Sequence, residues 1–303
     1  MSRAAVRIPK GRERGFGNNI SHMAGAPSFF RGKSVLITGA SSGIGEEMAL
    51  QLAMAGANLT LAARRLDRLE TLAQKIAGLC EPSRPVIDQC DVTHDGDLER
   101  AVAKAVAAWG RLDVAFANAG VGVVAPLKKL ALEDYRRQFE TNIFGVLRTI
   151  YAAVPELEKS KGNLAIISSV AGWVSTPGAS PYSMSKFALR ALATAITPEL
   201  RQSGITVTLI SPGFVASDIR RTDNQGKLHA EAKDPIPAWI VMNTAKAVRK
   251  ILHAVARGQR ERIVTGHGKA LVAMERFSPW ILRAFTSRVA TIRAKDDTRN
   301  WDS

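Results

Sequence analysis

The chain has 303 residues, 46% of them hydrophobic, enough for one large domain with a buried core or for two small ones. Its two cysteines, Cys80 and Cys90, form no CxxC or Cys/His cluster, which argues against a metal site or a disulfide framework and for a reducing, cytosolic compartment. The net charge of +15 sits at the ends, with +6 in residues 1–33, +8 in 246–303 and +1 between them, and no apolar run approaches the ~18 residues of a membrane span.

Residues 1–30, rich in Gly, Asn, Arg and Pro, read as a disordered basic arm. The arm lacks the apolar stretch of a secretory signal, and Met23 is a natural alternative start. From Ser34 onward short apolar runs alternate with amphipathic stretches. Strands are expected at Val35–Thr38, Leu59–Ala63, Val86–Gln89, Val114–Ala117, Leu164–Ser168 and Ile205–Ile210, with a seventh at Arg262–Thr265. Helices are expected at Ile44–Ala55, Leu66–Ala77, Leu98–Trp109, Glu133–Leu157 and Tyr182–Gln202. Strands apolar on both faces, alternating with helices, imply a mostly parallel sheet covered on both sides. That is a single doubly wound α/β domain over residues 31–265, with its ligand crevice at the carboxyl ends of the strands.

The first strand runs directly into Thr38-Gly39-Ala40-Ser41-Ser42-Gly43-Ile44-Gly45 and then into a helix. Glycines here let the backbone turn tightly and let a pyrophosphate approach the helix N-terminus, whose free N–H groups favour anions. A tight βα turn without a ligand is the plainer alternative. Further on, Tyr182 and Lys186 stand four apart at a helix start, so a phenol and an ammonium share one helical face. A nearby Lys⁺ favours the phenolate and brings the tyrosine closer to useful proton transfer.

These motifs, in this order, resemble those of the short-chain dehydrogenase/reductase family over roughly residues 33–265. Residues 38–45 resemble the family's cofactor loop, which assigns Gly39, Ser41, Ser42, Gly43, Ile44 and Gly45 to the cofactor. Cys90-Asp91-Val92-Thr93 resembles the segment whose Asp reaches the adenine, so Asp91 and Val92 join them. Asn118-Ala119-Gly120 resembles the motif beside the adenosine half. Asn142 matches the helix Asn of the family's catalytic tetrad, and Ser169 lies thirteen residues before Tyr182, the family's spacing. Pro212-Gly213-Phe214-Val215 resembles the stretch that contacts the nicotinamide. That assigns Pro212, Gly213, Val215 and Ser217 to the cofactor, with Ser217 standing where Thr is more usual but keeping the hydroxyl.

The resemblance implies a Rossmann-type oxidoreductase working as a homodimer or homotetramer. In it Tyr182 is the general acid in reduction and the base in oxidation. Lys186 lowers the Tyr pKa and holds the nicotinamide ribose, and Asn142 organises a water-mediated proton path. Ser169 and Tyr182 both bind the substrate oxygen, where oxyanion character develops; Ser168 competes with Ser169, but register with Tyr182 favours Ser169. A nucleotide-sensing module that does no chemistry is the rival reading, and the intact Asn/Ser/Tyr/Lys set speaks against it. The second strand ends Ala63-Arg64-Arg65, without the acid that would hold a ribose 2′-hydroxyl. An arginine there can fork onto a 2′-phosphate, so NADP(H) is expected over NAD(H), with Arg64 as the phosphate partner and Arg65 merely opening a solvated helix.

The substrate end is a variable lid over 214–241, with Pro235, Pro237 and Trp239 stiffening its second half. Val121, Val123, Val174, Phe214 and Trp239 are candidates for an apolar pocket wall, which suggests a lipophilic ketone, aldehyde or alcohol rather than a sugar. His229, His253 and His267 carry no motif and read as surface residues. Residues 266–303 form a basic extension, with Ser278-Pro279 opening an amphipathic helix through about Lys295. Ile281, Phe285, Val289 and Ile292 fall in one stripe roughly 80° wide, flanked by Arg288 and Arg293. Such a helix docks on the body or on a sister subunit; the alternative is peripheral contact with a membrane surface. Nothing in it interleaves aromatic and basic residues as a nucleic-acid module would.

Overall fold

Successive residues of a strand point to opposite faces, so a strand apolar at every position feeds two cores at once. Val35 and Ile37 enter one core and Leu36 the other; Ala165 and Ile167 oppose Leu164 and Ile166 in the same way. The computed structural model describes residues 26–79, 84–221, 224, 229, 231, 234, 236–284 and 286–287. Its strands are β1 (Ser34–Thr38), β2 (Asn58–Ala63), β3 (Val86–Gln89), β4 (Val114–Ala117), β5 (Asn163–Ile167), β6 (Thr206–Ser211) and β7 (Glu261–Ile263). They form one sheet of order β3-β2-β1-β4-β5-β6-β7, with every pairing parallel. All carboxyl ends therefore lie along one edge, and the order reverses between β1 and β4, which is where such sheets open a crevice.

Helices cover both faces. One layer holds α1 (Ala26–Phe30), α2 (Gly43–Met54), α3 (Leu66–Leu79) and α8 (Thr244–Ala256). The other holds α4 (Asp97–Trp109), α6 (Gly145–Ser160) and α7 (Ser180–Gln202). A short α5 (Leu132–Phe139) precedes α6, and α9 (Gly266–Phe277) follows β7. Among the described residues no helix is long and apolar enough to cross a membrane.

Two expectations are corrected here, and one helix is added. The reading of residues 1–30 as a disordered arm fails over its last five: α1 forms because Phe29 and Phe30 stack edge to face at 4.9 Å, and Phe30 is buried against α8 and the sheet. Residues 1–25 lie outside the described residues. The single helix expected at Glu133–Leu157 is interrupted by a π-helical turn, Glu140–Phe144, of the kind that often marks a functional site. The tail holds a helix, α9 from Gly266, ahead of the one expected from Ser278-Pro279. Two early glycines disguise α9 in the sequence, while the Thr265 side chain caps it by accepting the Gly268 N–H at 3.2 Å. A second helical stretch spans 279–284, whereas Phe285, Val289, Ile292, Arg288 and Arg293 lie outside the side chains described.

Candidate active site

The cofactor loop is built from backbone. Thr38, at the end of β1, has a buried hydroxyl that donates to the Phe116 carbonyl at 3.2 Å and accepts the N–H groups of Asn118 and Ala119 at 3.0 and 3.1 Å. The Asn118 amide donates to the carbonyls of Thr38 at 2.9 Å and Gly39 at 3.3 Å, which ties the end of β4 to the loop. Gly39 takes a φ of +67°, and a Cβ there would fall 2.8 Å from Ala119 Cα. A Cβ on Gly45 would collide with the Gly39 carbonyl oxygen. These glycines leave a bare cradle before the N-terminus of α2, the arrangement a pyrophosphate needs. Ser42 precedes that helix with no side-chain cap bond, Ile44 packs on the core, and Ser217 closes in from the far side, 3.3 Å from where a Gly43 Cβ would stand.

Arg65 and Arg64 take different neighbours at the end of β2. Arg65 reaches back over the loop: its Nη2 donates to Ser42 Oγ at 2.8 Å and Ser41 Oγ at 3.1 Å, and its Nε donates to Ser41 Oγ at 3.3 Å. Arg64 instead lines a cavity of about 650 Å³ with Gln89, Asp91 and His94. Neighbours leaving a strand point to opposite sides, so only one of the two can face the loop. Asp91 Oδ1 accepts the Thr93 N–H at 3.0 Å and its hydroxyl at 2.8 Å, and the buried Val92 packs where a Cβ on Gly145 would otherwise sit.

The four catalytic candidates converge at the carboxyl ends of β4 and β5. Ser169 caps a 3₁₀ turn over Val170–Gly172, accepting the Ala171 N–H at 3.1 Å, and its hydroxyl acts on the Tyr182 phenol, favouring the ionised form. Ser168 is buried and donates to the Lys186 carbonyl at 3.1 Å, a packing role. Lys186 lies beneath Tyr182, its Nζ 5.7 Å from the ring centre and donating to the Ile167 carbonyl at 3.0 Å. Asn142, buried in the π turn, accepts the Val121 N–H at 2.9 Å. Its amide donates to the Val121 carbonyl at 3.0 Å and to Ser185 Oγ at 3.1 Å.

The electrostatics differ from expectation in one respect. Burial pushes the Tyr182 phenol above its ordinary value, against the opposing hydrogen bond from Ser169 and the charge of Arg220. Burial pulls Lys186 down to about 8.

Four residues play parts that the sequence reading did not give them. Gln138, fully buried, donates to the Val121 carbonyl at 2.9 Å and accepts the Val123 N–H at 2.6 Å, so two amides hold residues 121–123. Ile219 approaches Gly122, which also borders the Tyr182 ring. Arg220 donates to the Val215 carbonyl at 3.0 Å while pairing with Asp234. His267, taken as a surface residue, lies against the Pro212–Val215 loop: Phe214 donates its N–H to Nε2 at 3.0 Å and stacks on the imidazole at 5.4 Å. None belongs to a motif, and none carries a spacing signal of its own. Of the proposed pocket wall, Val123 and Val174 are buried, but Trp239 is 85% exposed. The turn closed by the Ile240 N–H on the Pro237 carbonyl at 3.0 Å carries Trp239 into solvent. Among the described residues no group of His, Cys, Asp and Glu could hold a metal ion.

Comparison with known proteins gives a consistent picture. Residues 33–228 match the family model described as short chain dehydrogenase. An uncharacterized oxidoreductase of Myxococcus xanthus is 36% identical over 76% of this chain and 86% of its own. The 11-beta-hydroxysteroid dehydrogenase A of Sesamum indicum is 33% identical over 76% of this chain and 67% of its own. Among solved structures, an alcohol dehydrogenase of Thermococcus sibiricus complexed with 5-hydroxy-NADP superimposes with a TM-score of 0.65 at 28% identity, covering 77% of this chain and 96% of that one. A short-chain type dehydrogenase/reductase of Mycobacterium marinum gives 0.70 at 28% identity, covering 80% and 97%.

Proposed function

The chain belongs to the short-chain dehydrogenase/reductase family of NAD(P)-dependent oxidoreductases, and on that premise we propose that it interconverts a lipophilic carbonyl and its alcohol with NADP(H). The observation that carries this reading is the meeting of Ser169, Tyr182 and a buried Lys186, whose Nζ lies 5.7 Å from the Tyr182 ring centre. The nicotinamide supplies or takes the hydride. Ser169 and Tyr182 orient the substrate oxygen, and Tyr182 gives it a proton in reduction and removes one in oxidation. Because the phenol is raised above its ordinary value, Tyr182 stays protonated at neutral pH, as a donor must. Lys186 fixes the ribose beside it.

The side-chain amide of Asn142 is occupied by Val121 and Ser185, so we assign it to positioning that loop rather than to a proton relay. The bare cradle at Gly39 and Gly45 suits a pyrophosphate, and Arg65 at its rim, with Arg64 in the adjoining cavity, supports a 2′-phosphate. A relative named for a steroid substrate and a neighbour complexed with an NADP derivative favour the same choices. We read the enzyme as a cytosolic homodimer or homotetramer. The test is turnover of NADPH and NADH against a panel of lipophilic ketones, aldehydes and sugars; no turnover with either nucleotide would refute the reading, and faster sugars would refute the substrate class.

One observation favours peripheral membrane contact as well. Phe277, Trp280 and Ile281 are exposed beside Arg276 and Arg283, while the buried Leu282 anchors the segment. Co-sedimentation with anionic liposomes, compared with a chain ending near Gly266, tests this; equal binding by both removes the tail from the account.

A further inference from the structure

We propose that His267 is a positioning residue of this enzyme: its neutral imidazole, with Nε2 as acceptor, holds the Pro212–Phe214 backbone in the shape that receives the nicotinamide half of the cofactor. The last clause rests on the function proposed above; the contact itself does not.

Hydrogen-bond bookkeeping fixes the state of the ring. Nε2 lies 3.0 Å from the Phe214 nitrogen, a group that can only donate. It also lies 3.1 Å from Thr265 Oγ1. Thr265 Oγ1 already accepts the Gly268 N–H at 3.2 Å, which leaves its own proton free for Nε2. Two donors thus converge on one nitrogen, and that nitrogen carries no proton. The imidazole is neutral, with its hydrogen on Nδ1.

The loop is seated directly on this pair. A Cβ on Gly213 would collide with Thr265 Oγ1 and stand 2.5 Å from Nε2, so glycine lets the backbone lie flat against them. Phe214 completes the contact by stacking on the ring, with an interplanar angle of 23°. On its other side the same loop is joined to the catalytic serine. The Pro212 carbonyl accepts the Val170 N–H at 2.8 Å and the Ser169 hydroxyl at 3.5 Å. Pro212–Phe214 is therefore held between Ser169 and His267.

Protonation would reverse the contact, setting an Nε2–H against the Phe214 N–H. The groups facing the ring from the loop after β6, from the end of β7 and from α9 are Phe214, Gly213 and the Thr265 hydroxyl, all uncharged. Burial alone lowers the imidazole pKa, with no charged group contributing, so the acceptor state is the one present at neutral pH.

The experiment measures NADPH affinity by fluorescence titration of the full chain, from about pH 7.5 to about pH 5, for wild type, His267→Gln and His267→Leu. Gln offers a non-titrating acceptor near the Nε2 position, and Leu offers none. We expect His267→Leu to weaken NADPH about tenfold, the worth of one buried acceptor, with His267→Gln restoring most of it. Wild type should lose affinity on acidification more steeply than His267→Gln; the 2′-phosphate titrates in both and cancels. Should His267→Leu not fold, the acid comparison of wild type with His267→Gln decides alone. If NADPH binds and all folded proteins share one affinity and one acid dependence, His267 has no such role and the functional reading stands. If the wild type binds no nicotinamide dinucleotide, that reading falls and takes this proposal with it.

Discussion

The Ser169 hydroxyl, just past the end of β5, favours ionisation of the Tyr182 phenol in the first turn of α7. Two hydroxyls so placed define one point in space where a carbonyl oxygen can accept from both. Tyr182→Phe should therefore keep NADPH binding and lose turnover by about 10²–10⁴-fold, the usual worth of a general acid. Undiminished turnover in the purified variant would refute the assignment of Tyr182.

Arg65 bonds both serines of the cofactor loop, while Arg64 lines the cavity next to it. Arg65→Ala should weaken NADPH by about tenfold or more, since charge-assisted bonds to a phosphate are worth about 1.5–3 kcal/mol. NADH, which has no 2′-phosphate, should be nearly unaffected. Arg64→Ala should cost less than Arg65→Ala. Competition binding with the two nucleotides measures the difference, and an equal loss for both would sink the phosphate argument.

Asn142→Ala removes three hydrogen bonds from a fully buried side chain. The Val121 N–H is left without its acceptor, although the Val121 carbonyl keeps Gln138. Urea denaturation should find the variant about 1–3 kcal/mol less stable. Its activity should fall with NADPH affinity largely retained, because the loop it holds faces the substrate side. Wild-type stability would mean that Val121 finds another partner.

Lys186 is held at about 8 in the folded protein against an ordinary value of 10.5. Between those values the unfolded chain carries a proton that the folded chain does not, so this group makes stability rise with pH through that window. Below about 8 both states are charged and the cost of burying the ammonium is constant. Replacing Lys186 by Met removes the group. The stability gap between wild type and variant should therefore shift in favour of the wild type as pH rises from about 8 to about 10. A gap independent of pH would mean that Lys186 titrates normally.

The strands were legible because their apolar runs are continuous, and six of them begin and end within a residue of expectation. Residues carried by a motif, such as Gly39, Gly45, Ser169 and Tyr182, were equally visible, since the backbone or chemistry demands a particular type at each. What could not be read depends on contacts distant in sequence. Which of Arg64 and Arg65 faces the loop turns on where β2 ends. His267 meets Phe214 across 53 residues, and its spacing within α9 says nothing of that. Trp239 looked like a pocket residue because it is large and apolar, yet a turn carries it outward.

A helix that uses five residues for one turn contains more chain than its length requires. Removing a single residue between Glu140 and Phe144 would let α5 and α6 run together as one rod, with the flanking turns near their present faces and the bulge gone. The Asn142 amide would then swing away from Val121 even though no side chain had changed. Substitution would test the identity of the groups in this site, but a deletion there would test the bulge that aims them.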